Sequence, residues 1–439
     1  MRISQFALWT MVLLLGSVIA SQCQSNELVL HSFTGGKDGA DPLADLLYDP
    51  TTNFLFGTTN NGGGSAACTK GCGTVFAIHP DGTGYSVLHS FNGKPNEDGA
   101  NPQAGLVEDA AGNLYGTTYN GGAHNLGTVF ELSPIGGGAY KETVLYSFSG
   151  RGGSHPLSRL VLDTSGHLYG TTYVGGAQNR GIVFVLTPSP VPPWKEVVLH
   201  SFTGPDGSNP RAGLVFDANG NLWGTTYAGG KANLGVVFQL NAGGESFLYS
   251  FSGPDGANPR AAVTLDAAGD VFGTTQFGGT PCAFIAAGCG VVFELQLVIG
   301  GGYQESVLYS FTGGLDGAAP IADLALVTDS GGFDLYGTAS HAGILGGLCM
   351  AKGCGTAFVL CSVNTSCQGS ALWTEYTLFD FDGKGGRTPA AGMVIPGGKN
   401  QNANPDIPLG RGGCTSACYG LSSAGGANGQ GTLYGLNGP

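Results

Sequence analysis

The 439-residue sequence contains few charged side chains, since Asp, Glu, Lys and Arg together make up only 11% of it. Its 30 acidic residues outnumber its 17 basic residues, which gives a formal net charge of −13. A surface that binds nucleic acid needs clustered Lys and Arg to contact the phosphates, and no run of like charges occurs in this chain. The composition therefore argues against a nucleic-acid partner.

Several motifs are also missing. The chain has no long window with the 3.6-residue or heptad spacing that predicts helices. It has no Gly-x-Ser-x-Gly elbow, no His-Glu-x-x-His pair and no phosphate loop that ends in Gly-Lys-Ser/Thr. What it has in excess is glycine, with 80 residues, beside a hydrophobic content of 42%. Disordered chains lack such apolar content, so the glycines are expected to serve turns and close packing in an ordered fold.

The N-terminus is predicted to be an export signal over residues 1–20. Arg2 is followed by an apolar stretch over residues 6–19, and small residues precede the expected cleavage before Ser21. That stretch is shorter than the ~20 residues of a membrane span, and no later stretch predicts one. We expect a linker over residues 21–27, a single domain over residues 28–439, and a monomer located outside the cell or in the periplasm.

Cysteine usage agrees with export. Ten of the 11 cysteines form near-neighbour pairs, which predict five local disulfides in an oxidising compartment. Zinc is the alternative, but the pairs have no His at ligand spacing and lie in separate repeats, so no metal site is predicted. Cys23 is left over, and Gln22 before it does not suit lipidation. The predicted pairs are Cys68/Cys72, Cys282/Cys289, Cys349/Cys354, Cys361/Cys367 and Cys414/Cys418.

One short phrase, Leu-Tyr-Gly-Thr-Thr or a close variant, occurs seven times along the chain. Its central glycines are Gly57, Gly116, Gly170, Gly224, Gly273, Gly337 and Gly420. Around each copy lie short runs rich in β-branched and aromatic residues and bounded by turn residues, as in strands. In the second copy these runs cover residues 104–107, 113–119, 127–132 and 143–148. Four strands in each of seven units predict an all-β, seven-bladed β-propeller of four-stranded blades.

The two ends of the chain predict how the ring closes. Residues 28–33 match the last strand of the other units, whereas the final unit ends after a third strand at residues 431–436. The N-terminal strand should therefore complete the last blade and leave no open edge between the first and last units. A glycine in the middle of the Tyr-Gly-Thr-Thr strand is expected where facing sheets approach closely.

The repeated phrases resemble the GloVer tandem repeat of exported bacterial proteins. The resemblance rests on Leu-Tyr-Gly-Thr-Thr, the Gly-Gly that follows it, Gly-Thr-Val-Phe-Glu-Leu and Val-Leu-Tyr-Ser-Phe, and it covers residues 28–436. It implies export and a propeller-like array of repeats. It implies no defined catalytic activity, and the varied C-terminal anchors of the family have no visible counterpart here.

Candidate ligand residues are found by aligning the units on the proline of their Asp-Gly-x-Asn-Pro loops. These loops and the Gly-Gly loops should share one face of the propeller, around the mouth of the central channel. Charged side chains stand one or three residues after the proline in five units, namely Asp45, Arg159, Arg211, Arg260 and Asp323. Gln103, His155, Arg211 and Arg260 are predicted as ligand-binding candidates.

Two functions remain open at this point. The nearly equivalent loops favour a non-catalytic protein that binds glycans or extracellular proteins through this face. The alternative is a carbohydrate-active hydrolase or lyase that uses Asp45, Asp323 and Arg159, although the same residues could instead be salt bridges that line a wet channel. No cofactor is predicted. Calcium could bind loop oxygens such as those of Asp206 and Asn209, but Asp and Asn also bond to their own backbone in turns.

Overall fold

The computed structural model describes residues 26–93, 98–241, 244–282, 285–298, 300–328, 332–343, 349, 353–362, 373–396 and 418–437. In these ranges the chain forms seven antiparallel sheets that are the blades of a ring, plus one two-stranded ribbon. The predicted all-β, seven-bladed propeller is therefore confirmed. The predicted signal peptide lies outside the described residues.

The strands follow one pattern from the inside of the ring outwards. Strand β1 (Asn26–Ser32) belongs to the last blade. Blade 1 contains β2 (Leu47–Asp49), β3 (Phe54–Thr59), β4 (Thr74–Ile78) and β5 (Ser86–Ser90). Blade 2 and its ribbon contain β6 (Gly99–Ala100), β7 (Val107–Glu108), β8 (Leu114–Thr118), β9 (Asn120–Gly121), β10 (Thr128–Gly136) and β11 (Ala139–Ser147). Blade 3 contains β12 (Val161–Leu162), β13 (Leu168–Thr172), β14 (Ile182–Thr187) and β15 (Lys195–Ser201).

The remaining blades repeat this order. Blade 4 contains β16 (Val215–Phe216), β17 (Leu222–Thr226), β18 (Val236–Asn241) and β19 (Gly244–Ser250). Blade 5 contains β20 (Thr264–Leu265), β21 (Val271–Thr275), β22 (Val291–Leu297) and β23 (Tyr303–Ser310). Blade 6 contains β24 (Ala318–Pro320), β25 (Ala325–Thr328), β26 (Phe333–His341), β27 (Thr356–Ser362) and β28 (Trp373–Asp380). Blade 7 contains β29 (Arg387–Pro389), β30 (Cys418–Ala424) and β31 (Thr432–Asn437).

The last blade is completed by the N-terminal strand, as predicted. Strand β1 pairs antiparallel with β31, so that Val29 lies opposite Tyr434 and His31 lies opposite Leu433, with a bulge between the two pairs. The sheet order β1-β31-β30-β29 places the first strand of the chain on the outside of blade 7. The ring is thus closed by backbone hydrogen bonds between the two ends of the chain.

The core lies between the blades. One cluster of buried apolar side chains fills each of the seven interfaces between neighbouring sheets. At each interface a Phe from the outer strand of one blade meets an aromatic ring of the next blade edge-on, as Phe91 meets Phe130 at 5.1 Å between centroids. Edge-to-face aromatic pairs contribute roughly 0.5–1.5 kcal/mol beyond their buried area. Repetition of this contact explains why an aromatic residue recurs at both of these positions in each unit.

Two invariant features of the repeat have a steric cause. A Cβ on the central glycine of the Tyr-Gly-Thr-Thr strand would lie 2.5 Å from the ring of Phe130 at Gly116, and similar contacts occur in the other blades. A second glycine, which precedes the third strand, receives the loop proline of the next blade. A Cβ on Gly73 would lie 2.6 Å from Cδ of Pro102, and Gly431 meets Pro42 in the same way across the seam. The predicted close approach of the sheets is therefore found.

Hydrogen bonds also join the blades. In six blades the residue after the central glycine is Thr, whose hydroxyl donates to a backbone carbonyl in the inner strand of the next blade at 3.0–3.3 Å. Blade 7 has Leu421 at this position, which packs in the apolar cluster of the seam instead. The seam between blades 7 and 1 therefore depends on other contacts.

Three of the five predicted disulfides are formed, and each closes a short loop: Cys68–Cys72, Cys282–Cys289 and Cys349–Cys354. Cys367 and Cys414, the predicted partners of Cys361 and Cys418, lie outside the described residues. Among the residues that the structure describes, no helix has the length and hydrophobicity to cross a bilayer.

Candidate functional site

The two kinds of loop meet on one face of the ring, which we call the top face. Backbone bridges join each Asp-Gly-x-Asn-Pro loop to the Gly-Gly loop of the same blade, as between Ser154 and Val174 and between Ser208 and Ala228. From this face the inner strands run down the central channel. The residues one to three positions after the loop proline therefore line the channel at successive depths.

These aligned residues surround one cavity of about 80 Å³ at the centre of the ring. The cavity is lined by Leu43, Ala44, Asp45, Gln103, Ala104, Gly105, Leu157, Ser158, Arg159, Arg211, Ala212, Gly213, Arg260, Ile321, Ala322, Asp323 and Ala390. The structure thus brings together every candidate that the proline alignment selected. His155, which precedes the proline of its loop, is not among the lining residues.

Three charged side chains meet deep in the channel, and we call this group the waist: Asp45, Arg159 and Asp323. A nitrogen of the Arg159 guanidinium lies 3.8 Å from Asp323 Oδ2, and the two side chains are 7% and 23% exposed. Asp323 Oδ1 also accepts a hydrogen bond of 2.6 Å from the backbone N–H of Ala262 in the preceding blade.

Asp45 makes the equivalent contact at the seam. Its Oδ1 accepts a hydrogen bond from the backbone N–H of Gly392 in blade 7. Blade 7 lacks the Thr hydroxyl that joins the other neighbouring blades, so this bond connects the inner strands where the chain closes its ring. Gly392 leaves space for the Asp45 carboxyl group, because a Cβ at this position would lie 3.2 Å from Asp45 Oδ1.

The two carboxyl groups of the waist influence each other's ionisation. Burial raises the pKa of Asp323, the neighbouring Asp45 carboxylate and a side-chain hydrogen bond with it act in the same direction, and Arg159 acts in the opposite one. Two carboxylates in contact cannot both ionise easily, so the pair holds a proton up to a higher pH than an isolated Asp would. The waist therefore groups one arginine with two carboxyl groups, of which Asp323 faces the arginine.

The mouth of the channel, two residues higher on the same strands, is different. Arg211 lies between two aromatic rings, with its guanidinium carbon 4.8 Å from the centroid of Tyr173 and 4.5 Å from that of Tyr227. Its terminal nitrogen donates a hydrogen bond of 3.4 Å to the Tyr173 hydroxyl. Burial and the positive charge of Arg211 lower the pKa of Arg260 in the next blade.

His155 lies farther round the mouth. Its ring is 4.6 Å from that of Tyr119, and its Nδ1 is buried with no hydrogen-bond partner. Its backbone has a φ of 55°, the left-handed conformation that Asn adopts at the same place in three other blades. Desolvation lowers the pKa of this imidazole, so His155 is a neutral ring at the edge of the mouth.

Three tyrosines of the mouth were not selected from the sequence. Tyr119, Tyr173 and Tyr227 directly follow the Gly-Thr-Thr phrase in blades 2, 3 and 4, and all three are partly exposed. The corresponding residues of the other blades are Asn60, Gln276, Ser340 and Ser423. The variation of this position between repeats was the available signal, and it places the aromatic side chains on one half of the mouth.

The loop aspartates and outer-strand histidines have structural partners. Asp206 Oδ1 accepts hydrogen bonds from the backbone and hydroxyl of Thr203 at 2.8 Å, and its Oδ2 lies 3.0 Å from His200 Nε2. Asn209 Nδ2 donates to the carbonyl of Tyr173 at 3.0 Å. The Asn209 Oδ1 accepts a hydrogen bond of 2.6 Å from the Ser208 hydroxyl, so the side-chain oxygens of both residues have protein partners. In the part of the chain that the structure describes, no group of three or more His, Cys, Asp or Glu side chains has the geometry of a metal site.

A family model described as the Gloeobacter/Verrucomicrobia repeat matches residues 15–193 and 191–403. The chain belongs to this family. The match confirms the resemblance inferred from the repeated phrases, and the seven blades described above are the three-dimensional form of this Gloeobacter/Verrucomicrobia repeat. No curated protein matches the chain.

Solved structures of similar fold include two gluconolactonases. The one from Xanthomonas campestris is 13% identical, with 73% of this chain and 88% of that chain covered at a TM-score of 0.39. The periplasmic enzyme from Pseudomonas aeruginosa is 15% identical, with 77% and 86% covered at 0.47. An extracellular domain from B. thetaiotaomicron, provisionally assigned to a one-component system, is 11% identical, with 93% and 39% covered at 0.49. Similarity to solved structures at this level does not indicate an activity for this chain.

Proposed function

We propose that this repeat protein is an exported, non-catalytic binding protein that holds a glycan on its top face, at the mouth of the channel. The observation that carries the proposal is the half-circle of partly exposed Tyr119, Tyr173 and Tyr227 at the mouth, above the charged residues of the waist. Aromatic rings offer apolar faces with a polar hydroxyl, which suits the mixed surface of a sugar.

The contacts of the waist do not favour the alternative of a hydrolase that uses Asp45 and Asp323. A glycosidase needs its two carboxyl groups about 5–5.5 Å apart when it retains configuration and about 6.5–9.5 Å apart when it inverts it. Asp45 and Asp323 instead interact with each other, since the Asp45 carboxylate raises the pKa of Asp323, and Arg159 lies 3.8 Å from Asp323. The cavity of about 80 Å³ is also far below the roughly 300–1,000 Å³ of ordinary ligand pockets.

An exported location fits the same proposal. Three disulfides close loops on this chain, and such bonds persist in extracellular or periplasmic compartments but are rare in the cytosol. Polysaccharides are abundant ligands outside the cell, and a single rigid ring that presents its loops on one face is well suited to bind them.

The test is a glycan array probed with the purified full chain and two variants. Tyr173→Ala should lose most of the signal because a ring of the mouth is removed, whereas Tyr173→Phe should keep it. Asp45→Asn should bind like the parent protein because the waist does not reach the ligand. The proposal would be overturned if no glycan bound, or if bound glycan were cleaved by the parent protein and not by Asp45→Asn.

A further inference from the structure

Two arginines of the mouth have no acidic partner in the part of the chain that the structure describes. Among the described residues the carboxylate partner of an arginine is found at the waist, where Arg159 faces Asp323. No carboxylate in the described ranges lies within salt-bridge distance of Arg211 or Arg260. Arg151 and Arg180 also have no salt bridge among the described residues, but both are exposed to solvent.

The two side chains are also held where their charge is costly. Both are half-buried in the channel wall, and Arg211 Nε is buried with no hydrogen-bond partner. The two guanidinium groups belong to adjacent blades and are close enough to repel each other. A buried cation is stabilised most by an opposite charge, and no carboxylate in the described ranges supplies one for Arg211 or Arg260.

Two aromatic rings hold the Arg211 guanidinium in a defined position. The rings of Tyr173 and Tyr227 lie 4.8 and 4.5 Å from the Arg211 guanidinium carbon. Stacking on aromatic faces leaves the edge of a guanidinium free, and its fork of N–H donors matches a planar or tetrahedral anion. The same depth on the opposite side of the channel carries Leu43, Ile321 and Ala390, which offer no charge. The positive charge is therefore confined to the side of blades 4 and 5.

We propose that Arg211 and Arg260 bind the anionic group of an acidic polysaccharide, a carboxylate or a sulfate, at the mouth of the channel. This inference rests on the proposed glycan-binding function and names its ligand class. The anion replaces the missing carboxylate partner and relieves the repulsion between the two arginines. The adjacent tyrosine rings then contact the sugar that carries the anionic group.

The experiment is calorimetric titration of the full chain with four polymers of matched length. Polygalacturonate carries carboxylates, dextran sulfate carries sulfates, unmodified dextran is neutral, and polyglutamate is an acidic peptide. We expect one of the two acidic polysaccharides to bind at least tenfold more tightly than dextran, with an affinity that falls as salt is added. The acidic polysaccharide that binds more tightly shows whether the anionic group of the ligand is a carboxylate or a sulfate.

Variants test the assignment to these side chains. Arg211→Gln and Arg260→Gln should each weaken binding of the acidic polysaccharide at least tenfold, because each removes a charge-assisted hydrogen bond. Arg180→Gln is the matched control, since Arg180 is an exposed arginine in the Gly-Gly loop of blade 3, and it should change the affinity less than twofold. The melting temperatures of Arg211→Gln and Arg260→Gln should equal or exceed that of the parent protein.

The outcomes separate this inference from the function on which it rests. Equal affinity for dextran and both acidic polysaccharides, lost in Tyr173→Ala, overturns the anion site and leaves glycan binding in place. An acidic preference that Arg211→Gln and Arg260→Gln retain also overturns the anion site. Binding of polyglutamate alone, or of no polymer, overturns both proposals.

Discussion

The waist and the mouth of the channel lie only two residues apart along the same seven segments, yet their charged side chains have different partners. At the waist, Arg159 lies 3.8 Å from Asp323, and the two carboxyl groups accept backbone hydrogen bonds from neighbouring blades. At the mouth, Arg211 is stacked on aromatic rings and has no carboxylate partner among the described residues. Paired charges in a narrow channel hold the ring together, whereas unpaired charges at its opening are available to a ligand.

The largest expected effect is loss of the waist arginine. Arg159→Met leaves two carboxyl groups in contact without their cation, which should lower the free energy of unfolding by about 3–5 kcal/mol. Arg211→Met is the matched control at the mouth and should change it by less than about 1 kcal/mol. Urea unfolding at pH 7.5 measures both, and equal losses would contradict the division between waist and mouth.

The next effect depends on pH. The folded-state pKa of Asp323 is raised above its value of 3.8, so the folded protein binds more protons than the unfolded chain between pH 4 and the raised pKa. Stability should therefore fall as pH rises through this window. Asp45→Asn removes the main neighbouring charge, keeps an acceptor for the Gly392 N–H, and should be more stable than the parent protein by about 1–2 kcal/mol at pH 8.

The check is thermal unfolding of the parent protein and Asp45→Asn at pH 5 and at pH 8. The two proteins should melt at similar temperatures at pH 5, where the carboxyl pair of the parent holds its proton, and diverge at pH 8. If the two melting temperatures differed by the same amount at pH 5 and at pH 8, the carboxyl pair would not titrate in this range.

The smallest effect concerns the mouth. Asn258 stands at the repeat position of His155 in blade 5, and its Nδ2 donates to the Tyr227 carbonyl at 2.8 Å. His155→Asn should gain the equivalent bond to Tyr119 and adopt its φ of 55° more easily, which should stabilise the protein by about 0.5–1 kcal/mol. A loss of stability would show that the contact with the Tyr119 ring contributes more.

The same variant tests the role that the sequence assigns to His155. If His155 contacts the ligand, His155→Asn should weaken binding to the acidic polysaccharide while stability is kept, as measured by titration beside the melting curve. Unchanged affinity would restrict the ligand to Arg211, Arg260 and the tyrosine rings.

Much of this architecture could be read from the chain because the blades are equivalent. The central glycine of each Tyr-Gly-Thr-Thr strand predicted close approach, and the structure places Phe130 against Gly116. Alignment on the loop prolines selected residues that share one channel, since the same position in each blade has the same depth. The tyrosines after Gly-Thr-Thr escaped selection because the proline alignment does not include their position, and the contact of Tyr173 and Tyr227 with Arg211 forms only in the folded ring.

The sequence by itself determined the repeat, the number of blades and the strand that closes the ring, because each of these depends on short local patterns and on counting them. Only the tertiary structure decided which charges meet. Arg159 of blade 3 reaches Asp323 of blade 6, and Asp45 bonds to the backbone of Gly392 across the seam. Those pairings depend on the width of the channel and on which blades face each other across it, and both are properties of the closed ring.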